Sequence, residues 1–255
     1  MIHATVDGAV GLVIIDRTER RNALDAAHCR ALQEAVTDLA GRTRVMVLTG
    51  EGSAFCAGAD LAEAHTTEFR TRLRTLLELL GQVPVPVIAA VNGPALGAGT
   101  QLAIAADLRV AGAGARFGVP AARLGLAIDH WTVRRLTHLV GGATARRVLL
   151  TVDEIGADEA LVSGLAQRAG DREEALAWAA EIAELAPLTL RAHKLALERA
   201  GEPPDDPDVA AAVRTAWESQ DRAEGVASFR ERRRPRFEGL SPAWSNAWAT
   251  CSLLT

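Results

Sequence analysis

The chain has 255 residues, of which 49% are hydrophobic and 24% are charged, and its formal net charge is −4. This balance is ordinary for a soluble protein, and an acidic chain gives no support to nucleic acid as a main partner. No run of about 18 apolar residues occurs, so no transmembrane helix is expected. The length suits one large α/β domain or a domain with a helical appendage.

The cysteines and the N-terminus favour a soluble cytoplasmic protein. Cys29, Cys56 and Cys251 are isolated from one another in the sequence, so they form neither a metal-binding spacing nor a disulfide framework. The first eight residues resemble a strand and a turn rather than a signal peptide. We therefore expect no metal site and no disulfide.

In the first half of the chain, predicted strands alternate with predicted helices. Residues 2–15 predict a β-hairpin, because a short apolar run follows Asp7-Gly8. Apolar residues at helical spacing predict helices over about 26–40 and through Leu73 to Leu80. The runs 45–49 and 87–91 are strands with almost no polar residue. Such strands, separated by helices, predict a parallel sheet that is covered on both faces.

The second half of the chain is mainly helical. The sequence predicts a strand at 108–111, an extended segment at 116–120, and then helices over about 130–140, 143–150, 156–163, 171–185, 188–199, 207–219 and 221–232. A loop rich in Gly, Pro and Asp interrupts the helices at 201–207. The last segment, 241–255, contains no charged residue. It is a mobile tail, an interface strap or sequence foreign to the domain, and the sequence does not rank these.

The stretch from Asn92 to Gln101 is the most informative part of the chain. It carries three glycines, Gly93, Gly97 and Gly99, between a predicted strand and a predicted helix. Without a Cβ, the backbone can approach a ligand closely. The unpaired N–H groups and the dipole at a helix start favour negative charge. Such a stretch can bind an anion or stabilise an oxyanion that forms during a reaction.

Common nucleotide-binding motifs do not fit this stretch. The spacing is Gly-x3-Gly-x-Gly, no G-x-G-x-x-G opens a βαβ unit, and no Gly-Lys-Ser/Thr occurs. A dinucleotide fingerprint and a P-loop are therefore both excluded.

Six segments together resemble the enoyl-CoA hydratase/isomerase (crotonase) superfamily, over about residues 2–240. They are 20–24 (RRNAL), 54–61 (AFCAGADL), 92–99 (NGPALGAG), 106–110 (ADLRV), 117–120 (FGVP) and 124–126 (LGL). Each segment alone is weak, but six in the family's order and spacing are specific.

The resemblance implies an α/β fold: a crotonase-like spiral of ββα units with a helical C-terminal trimerisation region. We expect the spiral core over 1–195, the helical region over 196–240 and the tail of unknown role over 241–255. The resemblance also implies a homotrimer or a dimer of trimers. The ligand would be a bent acyl-CoA, so that coenzyme A is part of the substrate and no separate cofactor is needed.

In this superfamily, two backbone N–H groups hold the thioester oxygen. By motif position, the resemblance assigns these donors to Ala57 and Ala98. Residues at positions that contact CoA or the acyl chain in relatives are Arg21, Ala23, Leu24, Ala57, Gly58, Ala59, Asp60, Leu61, Ala98 and Trp131. Arg21 would approach the CoA phosphates or is a solvated loop charge, and Trp131 would line the acyl pocket or belong to the core. The cluster Arg232 to Phe237 would reach a neighbouring subunit's CoA or is a basic solvated end.

The two glutamates that hydrate enoyl thioesters in relatives are missing. Their positions hold Gln101 and Ala121. An amide can orient a water molecule but cannot accept its proton, and a methyl group can do neither. The sequence therefore argues against efficient hydration, although hydration is the superfamily's commonest reaction.

One carboxylate, Asp129, stands at the start of the next helix, where some isomerases of the superfamily carry a catalytic aspartate. It is either a helix N-cap, a proton-transfer group or a ligand-positioning residue. Two hypotheses remain: an isomerase-type enzyme that uses the oxyanion hole and Asp129, and a non-catalytic acyl-CoA binding protein of fatty-acid metabolism.

Overall fold

The computed structural model describes residues 1–199, 214, 217–233 and 235–236. These residues form two compact units. The first comprises residues 1–119 and 135–199, and the second comprises 120–134 together with the described residues from 214 onward. The predicted boundary at 195/196 does not coincide with this division, because the segment 120–134 belongs with the C-terminal part. The predicted tail, 241–255, lies outside the described residues.

Six strands of the first unit form one sheet. They are β1 (Ile2–Asp7), β2 (Val10–Ile15), β3 (Val45–Gly50), β4 (Val87–Val91), β6 (Leu108–Ala111) and β9 (Arg168–Ala169), and they lie side by side in that order. The first two strands are antiparallel, which confirms the predicted hairpin, and the others are parallel.

Helices cover both faces of this sheet. They are α1 (Ala26–Ala40) on one face and α6 (Arg172–Ala183) on the other, and α2 (Thr67–Gln82) packs against α1. Val45 and Val47 of β3 pack with Ala179 of α6. On the other face, a Cβ placed on Gly11 would touch Leu39 of α1 and Met46 of β3. Because both faces are covered, every residue of β3 is buried, as an apolar parallel strand requires.

A second, smaller sheet carries the glycine-rich stretch. It contains β5 (Pro94–Leu96), β7 (Arg116–Gly118) and β8 (Ile155–Gly156), with β5 parallel to β7 and β8 antiparallel to it. Helix α3 (Ala98–Ala105) begins two residues after β5 ends. The extended segment predicted at 116–120 is therefore a strand at 116–118. The mainly helical region that we predicted after residue 130 also contains the two-residue strands β8 and β9.

The remaining helices follow the predicted pattern. They are α4 (His130–Arg146), continued by a π-helical turn over Arg147–Thr151, α5 (Ala157–Val162), α7 (Pro187–Arg199) and α8 (Gln220–Arg230). Gly141 has non-helical dihedrals, φ 74° and ψ 159°, inside α4, which matches the predicted break between 140 and 143. The helix predicted over 207–219 falls largely outside the described residues.

The second unit is held together by close backbone packing. Gly125 has a φ of 63°, and a Cβ at this position would lie 2.2 Å from the carbonyl oxygen of Asp221 in α8. Gly225 of α8 approaches Leu124 equally closely. Trp217 Nε1 donates to Ala127 O over 3.0 Å. These contacts explain why 120–134 groups with residues almost a hundred positions later.

Among the described residues, no helix is both long and apolar enough to cross a membrane.

Candidate functional site

The start of α3 presents a backbone donor that the helix itself does not use. The first helical hydrogen bond runs from Gln101 N to Gly97 O. Gly97 precedes the helix with a φ of 52°. The N–H of Ala98 donates to no other described residue. Since Ala98 is only 6% exposed, this N–H is a buried donor at the positive end of a helix dipole.

The loop at 56–60 packs directly against this helix start. Cys56 and Ala95 form a parallel β-bridge. A Cβ added to Gly99 would lie 2.0 Å from Cys56 O, and one added to Gly58 would lie 3.9 Å from Ala98 N. Gly99 is therefore required by close backbone approach, and the two loops form one surface. Burial raises the pKa of the Cys56 thiol to about 12, so this thiol is not a nucleophile at neutral pH.

The structure corrects the predicted role of Ala57. Its N–H donates to the carbonyl oxygen of Arg21 over 2.9 Å, and it is therefore not available to a ligand. No local pattern reveals this bond, because Arg21 and Ala57 are far apart in the sequence.

Ala59 is another candidate donor in the same loop. The N–H groups of Gly58 and Ala59 donate to no other described residue. Ala59 forms a parallel bridge with Leu24, in which Leu24 N donates to Gly58 O and Asp60 N donates to Leu24 O. A residue bridged in this way directs its own N–H away from its partner. The Ala59 N–H therefore points away from Leu24.

Thr100 fixes the position of α3, a role that the sequence analysis missed. Its buried Oγ1 lies 2.6 Å from Ala95 O and 2.8 Å from Gly118 O, and it accepts the Gly118 N–H at 3.0 Å. One hydroxyl thus joins the first turn of α3 to β5 and β7. A hydroxyl residue in a mainly apolar helix was the signal that could have revealed it.

The loop that carries Arg21 is rigidly built. Arg21 and Asn22 both have left-handed backbone conformations, with φ of 49° and 60°. The buried Asn22 side chain accepts from Arg17 N and donates to Glu51 O and Ala54 O. The Arg21 guanidinium is exposed and has no ion-pair or hydrogen-bond partner among the described residues. Its predicted phosphate contact stays a prediction.

The other residues that were predicted to contact CoA differ in what they can offer. Leu24 is fully buried, and its backbone N–H and carbonyl oxygen both bond to the 58–60 segment. The Asp60 carboxylate accepts from Arg17 and from Ala62 N–H. This carboxylate therefore holds the loop. Ala23 and Leu61 are half-buried.

Gln101 and Ala121 lie in different units of the chain. Gln101 is 7% exposed in the first turn of α3. Ala121 is half-buried in a short 3-10 helix (Pro120–Leu124) of the second unit, where its carbonyl oxygen accepts from Leu126 N. Neither side chain can accept a proton from water at neutral pH.

Asp129 is the N-cap of α4. Its Oδ1 accepts from Thr132 N at 2.9 Å, and its Oδ2 accepts from Thr132 Oγ1 at 2.8 Å. The capping role that was one of three alternatives is therefore present, and the proton-transfer role stays a prediction. His130 and Trp131 follow it in the first turn and are half-buried.

The basic cluster near the C-terminus is partly neutralised. Arg233 forms ion pairs with Glu224 and Glu231. The hydrogen bonds from Arg233 lower the pKa of Glu224 to about 2. Arg233 is therefore not a free phosphate ligand, whereas Arg234 and Phe237 lie outside the described residues.

In the part of the chain that the structure describes, no three His, Cys, Asp or Glu side chains are grouped as metal ligands would be.

Comparison with known proteins places this site in a family context. Residues 5–240 match the model of the enoyl-CoA hydratase/isomerase family. A probable enoyl-CoA hydratase, echA6, from Mycobacterium leprae is 44% identical over 246 residues, which cover 94% of this chain and 100% of the relative. An enoyl-CoA hydratase from Geobacillus kaustophilus has a TM-score of 0.73 at 35% identity, covering 94% and 98% of the two chains. A methylmalonyl-CoA decarboxylase in complex with 2-nitronate-propionyl-CoA has a TM-score of 0.85 at 25% identity, with the same coverage.

Proposed function

Since the chain belongs to the enoyl-CoA hydratase/isomerase family, we propose that it binds an acyl-CoA thioester between the backbone N–H groups of Ala98 and Ala59. The observation that carries this proposal is the pair of N–H groups on two adjacent loops, neither of which donates to another described residue. The decarboxylase with a similar fold binds a CoA thioester analogue, which supports the same ligand class for this chain.

Two fixed donors can polarise a thioester carbonyl. As the carbonyl becomes an enolate, negative charge develops on its oxygen, and preorganised N–H groups stabilise that charge. Losing one such donor typically costs about 3–4 kcal/mol of transition-state stabilisation. The donors are backbone groups fixed by Thr100 on one side and by the Leu24 bridge on the other, so they need no rearrangement when the charge forms.

Efficient hydration does not fit this site. Adding water needs a base for the water and an acid for the carbon, and Gln101 and Ala121 can supply neither. General acid–base groups contribute about 10²- to 10⁴-fold each. We therefore propose that the protein binds enoyl thioesters without hydrating them at a significant rate.

Isomerase-type proton transfer by Asp129 is the second candidate function. An isomerase moves one proton between two carbons of the same acyl chain, and a single carboxylate can do this. Asp129 occupies the position of a catalytic aspartate in some isomerases that the chain resembles. Its two bonds to Thr132 favour the alternative, in which Asp129 only caps α4 and the protein binds acyl-CoA without catalysis.

We extend the proposal to the CoA moiety and to assembly. Arg21 would contact the CoA phosphates, because its guanidinium suits phosphate oxygens and has no partner among the described residues. The proposed assembly is a homotrimer or a dimer of trimers in the cytoplasm.

A panel of CoA thioesters of increasing chain length tests the proposal. A ligand at 100 times its Kd adds about 2.7 kcal/mol to the free energy of unfolding. The preferred acyl-CoA will therefore raise the melting temperature clearly. Free coenzyme A serves as the control that lacks the thioester. If no thioester raises the melting temperature beyond free coenzyme A, the proposed function is wrong.

A further inference from the structure

Arg109 is a buried cation at the far end of the helix that presents the proposed oxyanion donor. Its side chain is 1% exposed. The guanidinium donates to Ala103 O and Ala106 O over 3.2 and 2.7 Å, to Asp107 O over 3.1 Å and to Leu165 O. The first three of these carbonyls lie at the C-terminal end of α3. Arg109 forms no ion pair within the described part of the chain.

The other charged side chains at this helix end cancel in pairs. Asp107 Oδ2 lies 2.8 Å from Lys194 Nζ, and Glu198 Oε1 lies 3.0 Å from Arg135 Nη1. Arg135 also donates to Ile104 O in α3. Two positive and two negative charges therefore balance. Among the described side chains at this helix end, one net positive charge remains, and it belongs to Arg109.

This charge persists at physiological pH. Burial lowers the pKa of Arg109 to about 10, which still leaves the guanidinium protonated near neutrality. A cation among the last carbonyls of a helix interacts favourably with the helix dipole. Eight residues of helix span about 12 Å, so the charge lies about 12–15 Å from a ligand atom at the N–H of Ala98.

We propose that Arg109 is a positioning residue: it holds α3 by its terminal carbonyls and, by its charge, favours negative charge on the thioester oxygen at the other end of the helix. This inference rests on the proposed function. For unit charges about 12–15 Å apart and an effective dielectric constant of about 20, the interaction corresponds to about a five- to tenfold change in an equilibrium constant. A purely structural role would weaken all ligands alike, whereas the charge acts on anionic ligands only.

The test compares two ligands that differ in charge next to the thioester. Propionyl-CoA is neutral there, and 2-nitronate-propionyl-CoA carries an anion at carbon 2. Isothermal titration at pH 8 gives both dissociation constants and their ratio. In Arg109→Met, the preference for the nitronate will fall about five- to tenfold relative to the wild type, and Arg109→Lys will restore most of it.

Two further variants keep the inference testable if Arg109→Met does not fold. Glu198→Gln leaves Arg109 intact but removes the negative partner of Arg135, so the preference for the nitronate will rise. The double variant Arg135→Gln/Glu198→Gln removes a neutral pair beside the same helix end and will leave the ratio unchanged. If Glu198→Gln does not raise the ratio, or if Arg109→Met weakens both ligands equally, Arg109 does not act through its charge. If the wild type binds neither ligand, the proposed function fails as well.

Discussion

The backbone N–H of Ala57 donates to the carbonyl oxygen of Arg21 over 2.9 Å, and this bond decides which peptide groups of the loop remain open. It occupies Ala57 and ties the 56–60 loop to the loop that carries Arg21. Two residues later, the bridge between Ala59 and Leu24 turns the Ala59 N–H to the opposite side. The proposed contacts to the CoA phosphates and to the thioester oxygen are therefore built on one pair of joined loops.

Gly99→Ala will disrupt the proposed site. The added Cβ would lie 2.0 Å from Cys56 O, so the two loops must separate. Overpacking of this kind typically costs about 1–3 kcal/mol, and the separated donors will no longer hold a thioester oxygen. We expect a lower melting temperature and no stabilisation by acyl-CoA. Gly156→Ala is the matched control, because its Cβ meets no atom within 4 Å. Normal acyl-CoA binding by Gly99→Ala would contradict the assigned loop contact.

Substitutions at Asp129 separate capping from proton transfer. Asp129→Asn keeps an N-cap of similar quality, whereas Asp129→Ala lowers the free energy of unfolding by about 1 kcal/mol. Urea unfolding will show this difference. Enoyl-CoA isomerisation, followed by absorbance, will disappear in both variants if Asp129 transfers the proton. Full turnover in Asp129→Asn would eliminate the isomerase candidate, and acyl-CoA binding that survives in both would then favour the non-catalytic alternative.

Restoring the two glutamates will create hydration activity. In Gln101→Glu/Ala121→Glu, the two new carboxyl groups supply the acid and the base that relatives use. Each such group contributes about 10²-fold or more. We therefore expect crotonyl-CoA hydration roughly 100-fold or more above the wild type. Because position 101 is buried, burial will raise the pKa of the new carboxyl, and activity will increase with pH. Gln101→Glu alone is the control, and it will gain less. Equal activity in the wild type and the double variant would show that the missing glutamates are not what prevents hydration.

Lys194, the only lysine of the chain, is a structural cation. Its Nζ donates to Leu80 O, Val85 O and Asp107 Oδ2. Lys194→Met leaves the Asp107 carboxylate with the Val87 N–H but without its cation, and we expect a loss of about 3 kcal/mol, the lower end of the cost of breaking a buried pair. Urea unfolding measures the loss. Arg42→Met removes the exposed pair with Asp38 and will cost less than about 1 kcal/mol. Similar losses in the two variants would contradict the structural role of Lys194.

Cys29 and Cys56 make the free energy of unfolding fall at alkaline pH. Burial raises the pKa of Cys29 and of Cys56 to about 12, whereas an unfolded chain ionises its thiols near pH 9. Between these values the unfolded state binds fewer protons than the folded state, so the free energy of unfolding decreases as the pH rises from about 9 to 12. Cys29→Ala/Cys56→Ala will have a shallower decrease.

The same cysteines provide a labelling test. In a Cys251→Ser background, a thiol reagent at about pH 8, below the pKa of an ordinary thiol, will modify neither Cys29 nor Cys56 in the folded protein and both after denaturation. Rapid modification of the folded protein would show that these thiols are accessible.

The sequence predicts strands well where local pattern and tertiary packing agree. The runs 45–49 and 87–91 are apolar throughout because helices cover both sheet faces, and β3 and β4 lie there. The strands β8 and β9 were not predicted, because a two-residue strand is too short to show an alternating sequence pattern. They form only by pairing with β7 and β6. Long-range contacts account for the other differences. Arg21 O determines which N–H of the 56–60 loop is open, and the approach of Gly125 to Asp221 determines where the second unit begins.

The close contact between Gly99 and Cys56 O also bears on how this pocket can diverge. Beside the Thr100 hydroxyl, the spacing between the two loops that carry the proposed donors is set by contact of main chain with main chain. Substitutions elsewhere in the proposed acyl-CoA site can therefore accumulate without altering the proposed contacts to the thioester oxygen. A chain of this kind can change which acyl group it accepts, and can even lose its acid–base pair, while it keeps the proposed donors in place.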